Sequence, residues 1–357
     1  MNPKILVLNP GSTSTKIAVF EGAQNIFQHT LRHSSDELKA FTSVASQFSF
    51  RKEAILSELQ KAGVEVSDLR FVVGRGGLVK PIESGVYEVN EAMKTDLYSA
   101  QYGEHASNLG GLLADDIARS LSSAQAYIAD PVVVDEMQDV ARVSGHPIFS
   151  RRSIFHALNQ KAIARAHAQK QGRRYEDLNV VVAHLGGGIS VGAHRQGRVV
   201  DVNNALGGDG PLSPERAGTL PAVQLMELCF DGQHSRSELT KMLVGRGGVV
   251  AHLGTNDMQH AAAQAAQGNA RAQQVIDAMC YQIGKEIGAA AAVLCGKVDA
   301  ILITGGIAHD SYVTGYISRM VKFIAPVSVY AGEDEMTALA TNVLQMAEGK
   351  LPLKDYR

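Results

Sequence analysis

Residues 4–22 read KILVLNPGSTSTKIAVFEG, and residues 179–197 read NVVVAHLGGGISVGAHRQG. Laid over one another without a gap, at an offset of 175 residues, the two pieces present the same features in the same order. Ile5-Leu6-Val7-Leu8 lies over Val180-Val181-Val182-Ala183, Asn9 over His184, Gly11 over Gly186, and Gly22 over Gly197. Each piece reads as an apolar strand, a turn of small residues, a second strand and a glycine, which is a β-hairpin with a small-residue tip. The offset is close to half of the 357 residues. Solenoid repeats run roughly 20–50 residues, so a spacing this long means paired domains. Length agrees, since at roughly 150 residues per domain the chain holds about two.

Outside the hairpins, strand-like runs alternate with helical patterns, the mark of an α/β chain. Strands are expected at Ile5–Leu8, Phe71–Val73, Val132–Val134, Val180–Ala183 and Ala300–Thr304. Helices are expected at Ser35–Phe48, Lys52–Ala62, Phe155–Lys170, Asn269–Leu294 (with Gly296 as its C′ residue) and Glu335–Glu348.

Composition narrows the class of function. Lys+Arg is 34 and Asp+Glu 36, a formal charge of −2, which argues against a polyanion-binding surface and hence against nucleic acid as partner. The three cysteines, Cys229, Cys280 and Cys295, form no CxxC pair, which suits a reducing compartment. The apolar stretch Ile287–Cys295 is far short of the roughly 20 residues of a spanning helix. The N-terminal residues lack the plan of a signal peptide. No membrane partner and a cytoplasmic location are expected. Glycine is in excess, 35 of 357 against an average of about 7%.

Part of that excess sits where chemistry is possible. Asn9-Pro-Gly-Ser-Thr-Ser-Thr-Lys16 offers backbone N–H groups at Gly11, hydroxyls at Ser12, Thr13, Ser14 and Thr15, and the Lys16 ammonium, all suited to phosphate oxygens. His184-Leu-Gly-Gly-Gly-Ile-Ser190 lets a phosphate approach the main chain at Gly186, Gly187 and Gly188. A strand running into Gly305-Gly306 lets a flat ligand lie against backbone. The Walker pattern and a GxGxxG opening a helix are both absent. The glycine pairs Gly207-Gly208 and Gly247-Gly248 are assigned to turns.

These motifs resemble the acetate/butyrate kinase family. Asn9–Lys16 is similar to its N-terminal signature, and the pattern from His184 through Gly186, Gly188, Ser190, Val191 and Ala193 to Gly197 to its second. Ile303–Ala308 is similar to its adenosine loop, while Gly74-Arg-Gly-Gly and Ser213-Pro-Glu-Arg-Ala-Gly-Thr are closest to the butyrate branch. The resemblance spans essentially the whole chain. It implies two duplicated actin-like ATPase (ribonuclease H-like) α/β domains with a central cleft. The first would cover residues 1–150, with the segment 335–357 packing back on it, and the second residues 151–334. It also implies a homodimer or larger homo-oligomer.

The implied activity is reversible phosphoryl transfer from ATP to a short-chain fatty acid, giving butyryl phosphate and ADP, with Mg²⁺ as cofactor. Acetate, propionate or a branched acid is the nearest alternative acceptor. A catalytically silent actin-like nucleotide-binding regulator and a sugar kinase are alternatives of other classes. A carboxylate acceptor is already ionised at neutral pH and needs no general base. The difficulty is that one anion must approach another, so placed cations, donors and a metal are required.

By resemblance, Arg216 meets the carboxylate and the transferring phosphoryl, with Arg75 the second arginine and Arg70 a weaker contender. His156 meets the phosphoryl in flight. The family's companion histidine is missing, because Ala157-Leu-Asn-Gln160 follows instead. His105 is implied near the substrate, and Phe155 and Pro211 at the acyl pocket. Asp135, at the end of the expected strand Val132–Val134, is implied near the metal with Asn9 and Glu335; the spacing leaves Glu333 open in place of Glu335. Asn256-Asp257 is implied at the ribose and adenine, with Gly305 and Gly306 beneath the base.

Overall fold

The computed structural model describes residues 2–121 and 123–357. By contact it divides into two units, Met1–Val134 with Asp334–Arg357, and Asp135–Glu333. Residues 135–150, grouped with the first domain in the sequence reading, therefore pack with the second unit. The Gln138 N–H donates to Val200 O at 3.0 Å, and Glu136 accepts the Lys161 ammonium at 2.6 Å. The closing helix, Glu335–Ala347, belongs with the first unit.

The first unit is built on β1 (Lys4–Pro10), β2 (Ser14–Glu21), β3 (Gln24–Arg32), β4 (Leu69–Arg75), β5 (Val86–Glu88), β6 (Gln125–Ala129) and β12 (Leu353–Lys354). The second is built on β7 (Asn179–Leu185), β8 (Ile189–Arg195), β9 (Arg198–Val202), β10 (Ala300–Gly305) and β11 (Val327–Ala331). Their sheets have the orders β12-β5-β6-β4-β1-β2-β3 and β11-β10-β7-β8-β9. The run β6-β4-β1-β2-β3 in one repeats as β11-β10-β7-β8-β9 in the other. In both, three parallel strands continue into an antiparallel meander. Ile5 to Leu8 and Val180 to Ala183 are each fully buried, as expected for central strands covered on both faces.

The two hairpins correspond, but not without a gap. β1 pairs β2 from Lys4↔Glu21 to Pro10↔Thr15, leaving residues 11–14 at the tip. β7 pairs β8 from Asn179↔Arg195 to Leu185↔Ile189, leaving residues 186–188, one fewer. Each third strand carries a bulge, at Ile26 opposite Val19/Phe20 and at Val200 opposite Ala193/His194, next to the turn that joins it to the second strand. Those turns enclose Gly22-Ala23 and Gln196-Gly197. The structural counterpart of Gly22 (φ 58°) is thus Gln196 (φ 49°), not Gly197.

Three local expectations are corrected. Val132–Val134 is not a strand: β6 ends at Ala129, Pro131 removes a ladder donor, and the Val134 N–H closes a turn onto Pro131 O at 3.0 Å. Val133 and Val134 are apolar because they are buried. The helix expected over Ser35–Phe48 stops at Lys39, and a second runs unbroken over Phe48–Lys61. Between them Ser43 and Ser46 exchange side-chain bonds with each other's backbone N–H at 3.2 Å, which competes with helical pairing. The long helix Ala270–Val293 ends with Cys295, not Gly296, as its first left-handed residue (φ 55°). Among the described residues no helix is long and apolar enough to cross a membrane.

Candidate active site

The first hairpin tip rests on an arginine that belongs to no sequence motif. Arg51 is fully buried. Its guanidinium donates to Gly11 O (2.9 Å), Ser14 O (3.0 Å), Thr15 Oγ1 (3.0 Å), Ser12 O (3.2 Å) and twice to Gln47 Oε1 (3.0 and 2.8 Å). No carboxylate is among these partners, so a whole positive charge lies directly beneath the tip. Above it Ser12 and Thr13 are exposed, and the Gly11 N–H bonds back to Ser14 O at 2.7 Å. Lys16 is exposed and opposes Asn9 in the ladder, so both side chains leave the same sheet face.

Asn9, Arg75 and Glu335, three residues far apart in sequence, meet in this unit. Asn9 Nδ2 donates to Glu335 Oε2 at 2.6 Å. Arg75 binds both Glu335 oxygens, Nη1 to Oε2 at 3.1 Å and Nη2 to Oε1 at 3.0 Å, and reaches Asn9 Oδ1 at 3.5 Å. Asn9 and Arg75 sit near the C-terminal ends of the parallel neighbours β1 and β4, where open α/β sheets bind ligands. Glu335 opens the closing helix. Gly74 and Gly110 allow the helix Asn108–Arg119 to approach β4: a Cβ on Gly74 would stand 2.1 Å from Gly110 O. Arg70 lies at the other end of β4, exposed, and donates to Ser123 O. His105 is exposed and accepts the Ser107 N–H at 3.2 Å, just before that same helix.

In the second unit, the glycine turn 186–188 and the Arg216 loop are one construction. Ser213 Oγ donates to Gly187 O at 2.7 Å and accepts the Arg216 N–H at 3.1 Å, while the Glu215 N–H bonds Gly187 O at 3.2 Å. The loop is seated on Gly247-Gly248, residues first assigned to a mere turn. Gly248 (φ 72°) comes so close that a Cβ there would stand 1.9 Å from Ser213 O. Glu215 holds Arg216 Nη1 at 3.3 Å and accepts from Asn256 Nδ2 at 2.7 Å. Arg216 Nε is buried and has no hydrogen-bond partner among the described residues.

His156 and His184 stack face to face, centroids 3.8 Å apart and planes 11° apart. His184 Nδ1 lies 2.7 Å from Asn159 Oδ1, and its Nε2 lies 3.3 Å from Glu333 Oε2. The two glutamates left open by spacing are thus separated: Glu335 joins Asn9, and Glu333 joins His184. Gly188 adjoins the pair, its would-be Cβ 3.7 Å from the His156 ring. Phe155 and Pro211 are both buried. Asp135 does not end a strand; Arg142 takes both of its oxygens, at 2.5 and 2.8 Å. The carboxylate at the end of β6 is Asp130, occupied by Ser84 Oγ, the Gly85 N–H and Asn342 Nδ2 at 2.6, 2.9 and 3.1 Å.

A cavity of about 550 Å³ opens beside the second glycine turn. Gly186, Gly187, Asn256, Asp257 and Gly306 all line it, together with Glu333, His309 and Ile307, the last two not singled out from sequence. Asp257 also caps the helix Met258–Ala266. Gly306 has nothing within 4 Å of where a Cβ would be. Gly305 does not line the cavity: its backbone (φ 93°) packs on β7, with a would-be Cβ 2.3 Å from Leu185 O.

The acetokinase family model matches residues 143–325, just over half of the chain. Butyrate kinase 2 of Clostridium acetobutylicum is 52% identical over 357 residues, all of both chains. A probable butyrate kinase of Bacteroides thetaiotaomicron is 51% identical over 354 residues, 99% of this chain and 100% of that one. Among solved structures, the acetate kinase of Porphyromonas gingivalis superposes with a TM-score of 0.78 at 18% identity, covering 97% of this chain and 100% of that one. The propionate kinase of Francisella tularensis gives 0.75 at 18% identity, covering 95% and 98%. At such identities the likeness is one of fold, the actin-like α/β fold that the family resemblance implies.

Proposed function

The chain belongs to the acetokinase family, and from that premise we propose that it is a Mg·ATP-dependent short-chain carboxylate kinase acting on butyrate. A butyrate oxygen attacks the γ-phosphorus, the bond to the β-phosphate oxygen breaks, and butyryl phosphate and ADP result with no proton to move. The reverse direction makes ATP. The observation that carries the reading is the joint between the glycine turn and the Arg216 loop. It sets backbone donors for a polyphosphate beside an arginine whose buried Nε is unpartnered.

In this reading, Arg216 and Arg75 receive the carboxylate and the charge of the transferring group, and His156 donates a hydrogen bond to the phosphoryl. Placed positive charge and hydrogen-bond donors lower the barrier between two anions. Gly11, Ser12, Thr13, Ser14 and Lys16 at the first hairpin tip, and His184, Gly186, Gly187 and Gly188 at the second, are phosphate-binding groups. Asn256, Asp257 and Gly306 hold the nucleoside in the cavity. His105, Phe155 and Pro211 line the acid. Asn9 and Glu335 offer the hard oxygen donors that suit Mg²⁺, which keeps most of its ligands as water and nucleotide oxygens. When bound, Mg²⁺ supplies charge neutralisation on the phosphates. Asp135 serves the metal only by releasing Arg142. The enzyme works in the cytoplasm as a homodimer or larger homo-oligomer.

Trapping acyl phosphate with hydroxylamine tests this. Hydroxamate should form with ATP and Mg²⁺ and peak at the four-carbon acid. A peak at acetate or propionate would move the acceptor within the family, and no hydroxamate with any acid would sink the kinase. One methylene is worth only about 1–3 kcal/mol in a pocket, so neighbouring acids should react at reduced rates.

A further inference from the structure

We propose that Gln160 and Ser190 are positioning residues that hold His156 as a neutral imidazole with its proton on Nε2, at the end of a one-way hydrogen-bond chain beginning at Tyr175. The chain is continuous within the second unit. Tyr175 Oη lies 2.7 Å from His194 Nδ1, His194 Nε2 lies 2.9 Å from Gln160 Oε1, Gln160 Nε2 lies 2.8 Å from Ser190 Oγ, and Ser190 Oγ lies 2.8 Å from His156 Nδ1. Gln160, Ser190 and His194 are fully buried, so each hydrogen must be accounted for within the chain.

The direction follows from Gln160. Its Nε2 also donates to the Ser190 carbonyl at 3.0 Å, and a carbonyl can only accept, so the NH₂ end faces Ser190. Oε1 therefore faces His194 and takes the Nε2–H. His194 keeps a single proton: burial first, then the charges of Lys161 and Arg165, hold its pKa well below 6.5. Its Nδ1 accepts from the Tyr175 hydroxyl. Ser190 Oγ accepts the Gln160 N–H and, at 3.4 Å, the backbone N–H of His156. Its own hydrogen is left for His156 Nδ1, and the His156 proton is on Nε2. The stack on His184 fixes the ring plane.

This bears on the reaction through the proposed function, on which it rests. A neutral Nε2–H offers the transferring phosphoryl a hydrogen bond without offering it a proton, a use of imidazole that depends on holding the ring uncharged. It also gives meaning to the departure at Ala157-Leu-Asn-Gln160. The two amides each govern a histidine: Asn159 meets His184 Nδ1, and Gln160 governs His156 through Ser190.

Long-range ¹H–¹⁵N correlation on ¹⁵N-histidine-labelled protein at pH 7, with His156 assigned by His156→Asn, reads the tautomer directly. An unprotonated Nδ1 with a protonated Nε2 is expected in the ligand-free protein. A protonated Nδ1, or an imidazolium, overturns the proposal. In Ser190→Ala, His156 should shift towards mixed tautomers, and kcat should fall roughly 10–100-fold with the KM for ATP little changed. A folded Ser190→Ala with unchanged tautomer and kcat would also overturn it; if that variant does not fold, the wild-type spectrum decides. The spectrum needs no substrate. An inactive protein with the expected tautomer would refute the proposed function alone, and an active kinase with Nδ1 protonated would refute this inference alone.

Discussion

Arg75 and Glu335 form a two-pronged ion pair at 3.1 and 3.0 Å, joined by Asn9. Two groups assigned to different tasks, one to the acid and one to the metal, are thus bound to each other in the free protein. Each must loosen for its ligand, so the two binding events are coupled. Arg75→Lys keeps the charge but loses the fork. We expect a lower kcat and a raised KM for butyrate, while Glu335→Gln should raise the Mg²⁺ concentration for half-maximal rate. Initial rates over a grid of butyrate and Mg²⁺ check both. A Glu335→Gln enzyme with unaltered Mg²⁺ dependence would remove Glu335 from the metal.

Arg51 should matter for stability and nucleotide binding together. Arg51→Met takes the Arg51 donors from the carbonyls of Gly11 and Ser12 and from Gln47 Oε1, and one of two partners from Ser14 O and the Thr15 hydroxyl. Each unsatisfied buried group costs about 1–3 kcal/mol, so a loss of several kcal/mol is expected by urea denaturation. At temperatures where the variant remains folded, ATP affinity should fall as well, because the charge beneath the tip has gone. A stable variant with normal ATP binding would contradict this account.

The repeat was legible because hairpins leave a strong local signal: two apolar strands around a tip of small residues. The one-residue difference between the tips was not, since Gly197 offered a false counterpart to Gly22. Asn9, Arg75 and Glu335 could be nominated singly from motifs, but their meeting depends on the closing helix returning to the first unit. Arg51 was illegible because nothing local separates a buried arginine from a surface one; its neighbour in sequence is Lys52. The run Val132–Val134 misled because burial under a turn and burial in a sheet favour the same residues. Gln160 and Asn159 were noticed only as departures, and their role appears only with the atoms of Ser190 and His184 beside them.

Stability should fall as pH drops below about 6.5. Burial pushes down the pKa of His33, helped by Arg51, of His167, helped by Lys170, and most strongly of His194. The unfolded chain takes up protons on these rings near 6.5 while the folded chain resists. Between the folded values and 6.5 the unfolded state therefore holds more protons, and stability rises with pH by up to about 1.4 kcal/mol per unit for each ring. Asp209 and Glu286, raised by burial, act in the opposite sense at lower pH. Urea midpoints at several pH values for the parent and for His33→Gln/His167→Gln isolate the histidine part, because the two carboxyls are common to both. The variant should show the flatter slope, and an identical slope would refute the assignment.

Gly305 and Gly306 should part company on substitution. Gly305→Ala meets Leu185 O at 2.3 Å with a backbone at φ 93°, so it should destabilise the fold by a few kcal/mol. Gly306→Ala meets nothing within 4 Å and should leave the melting temperature nearly unchanged. If the nucleoside lies against Gly306 in the cavity, the added methyl should raise the KM for ATP with kcat preserved. Unchanged KM in Gly306→Ala would remove that residue from the nucleotide site.

Arg216 carries the sharpest kinetic expectation. Its backbone N–H is held by Ser213 Oγ and its loop is seated closely on Gly248. Its Nη1 is held by Glu215 at 3.3 Å, and its Nε is buried without a partner. A donor left unsatisfied in the free protein costs stability there and returns it when an oxygen arrives, which favours the bound acid and the transferring phosphoryl. Arg216→Ala should therefore lower kcat by orders of magnitude while barely altering ATP affinity, because the glycine turn and the cavity remain. It should also be no less stable than the parent, since the orphaned Nε goes with the side chain. Measured kcat, equilibrium ATP binding and urea midpoint together separate the cases. Impaired ATP binding with normal turnover would transfer Arg216 from the reacting centre to the nucleotide. A large loss of stability would make it a structural residue of the loop.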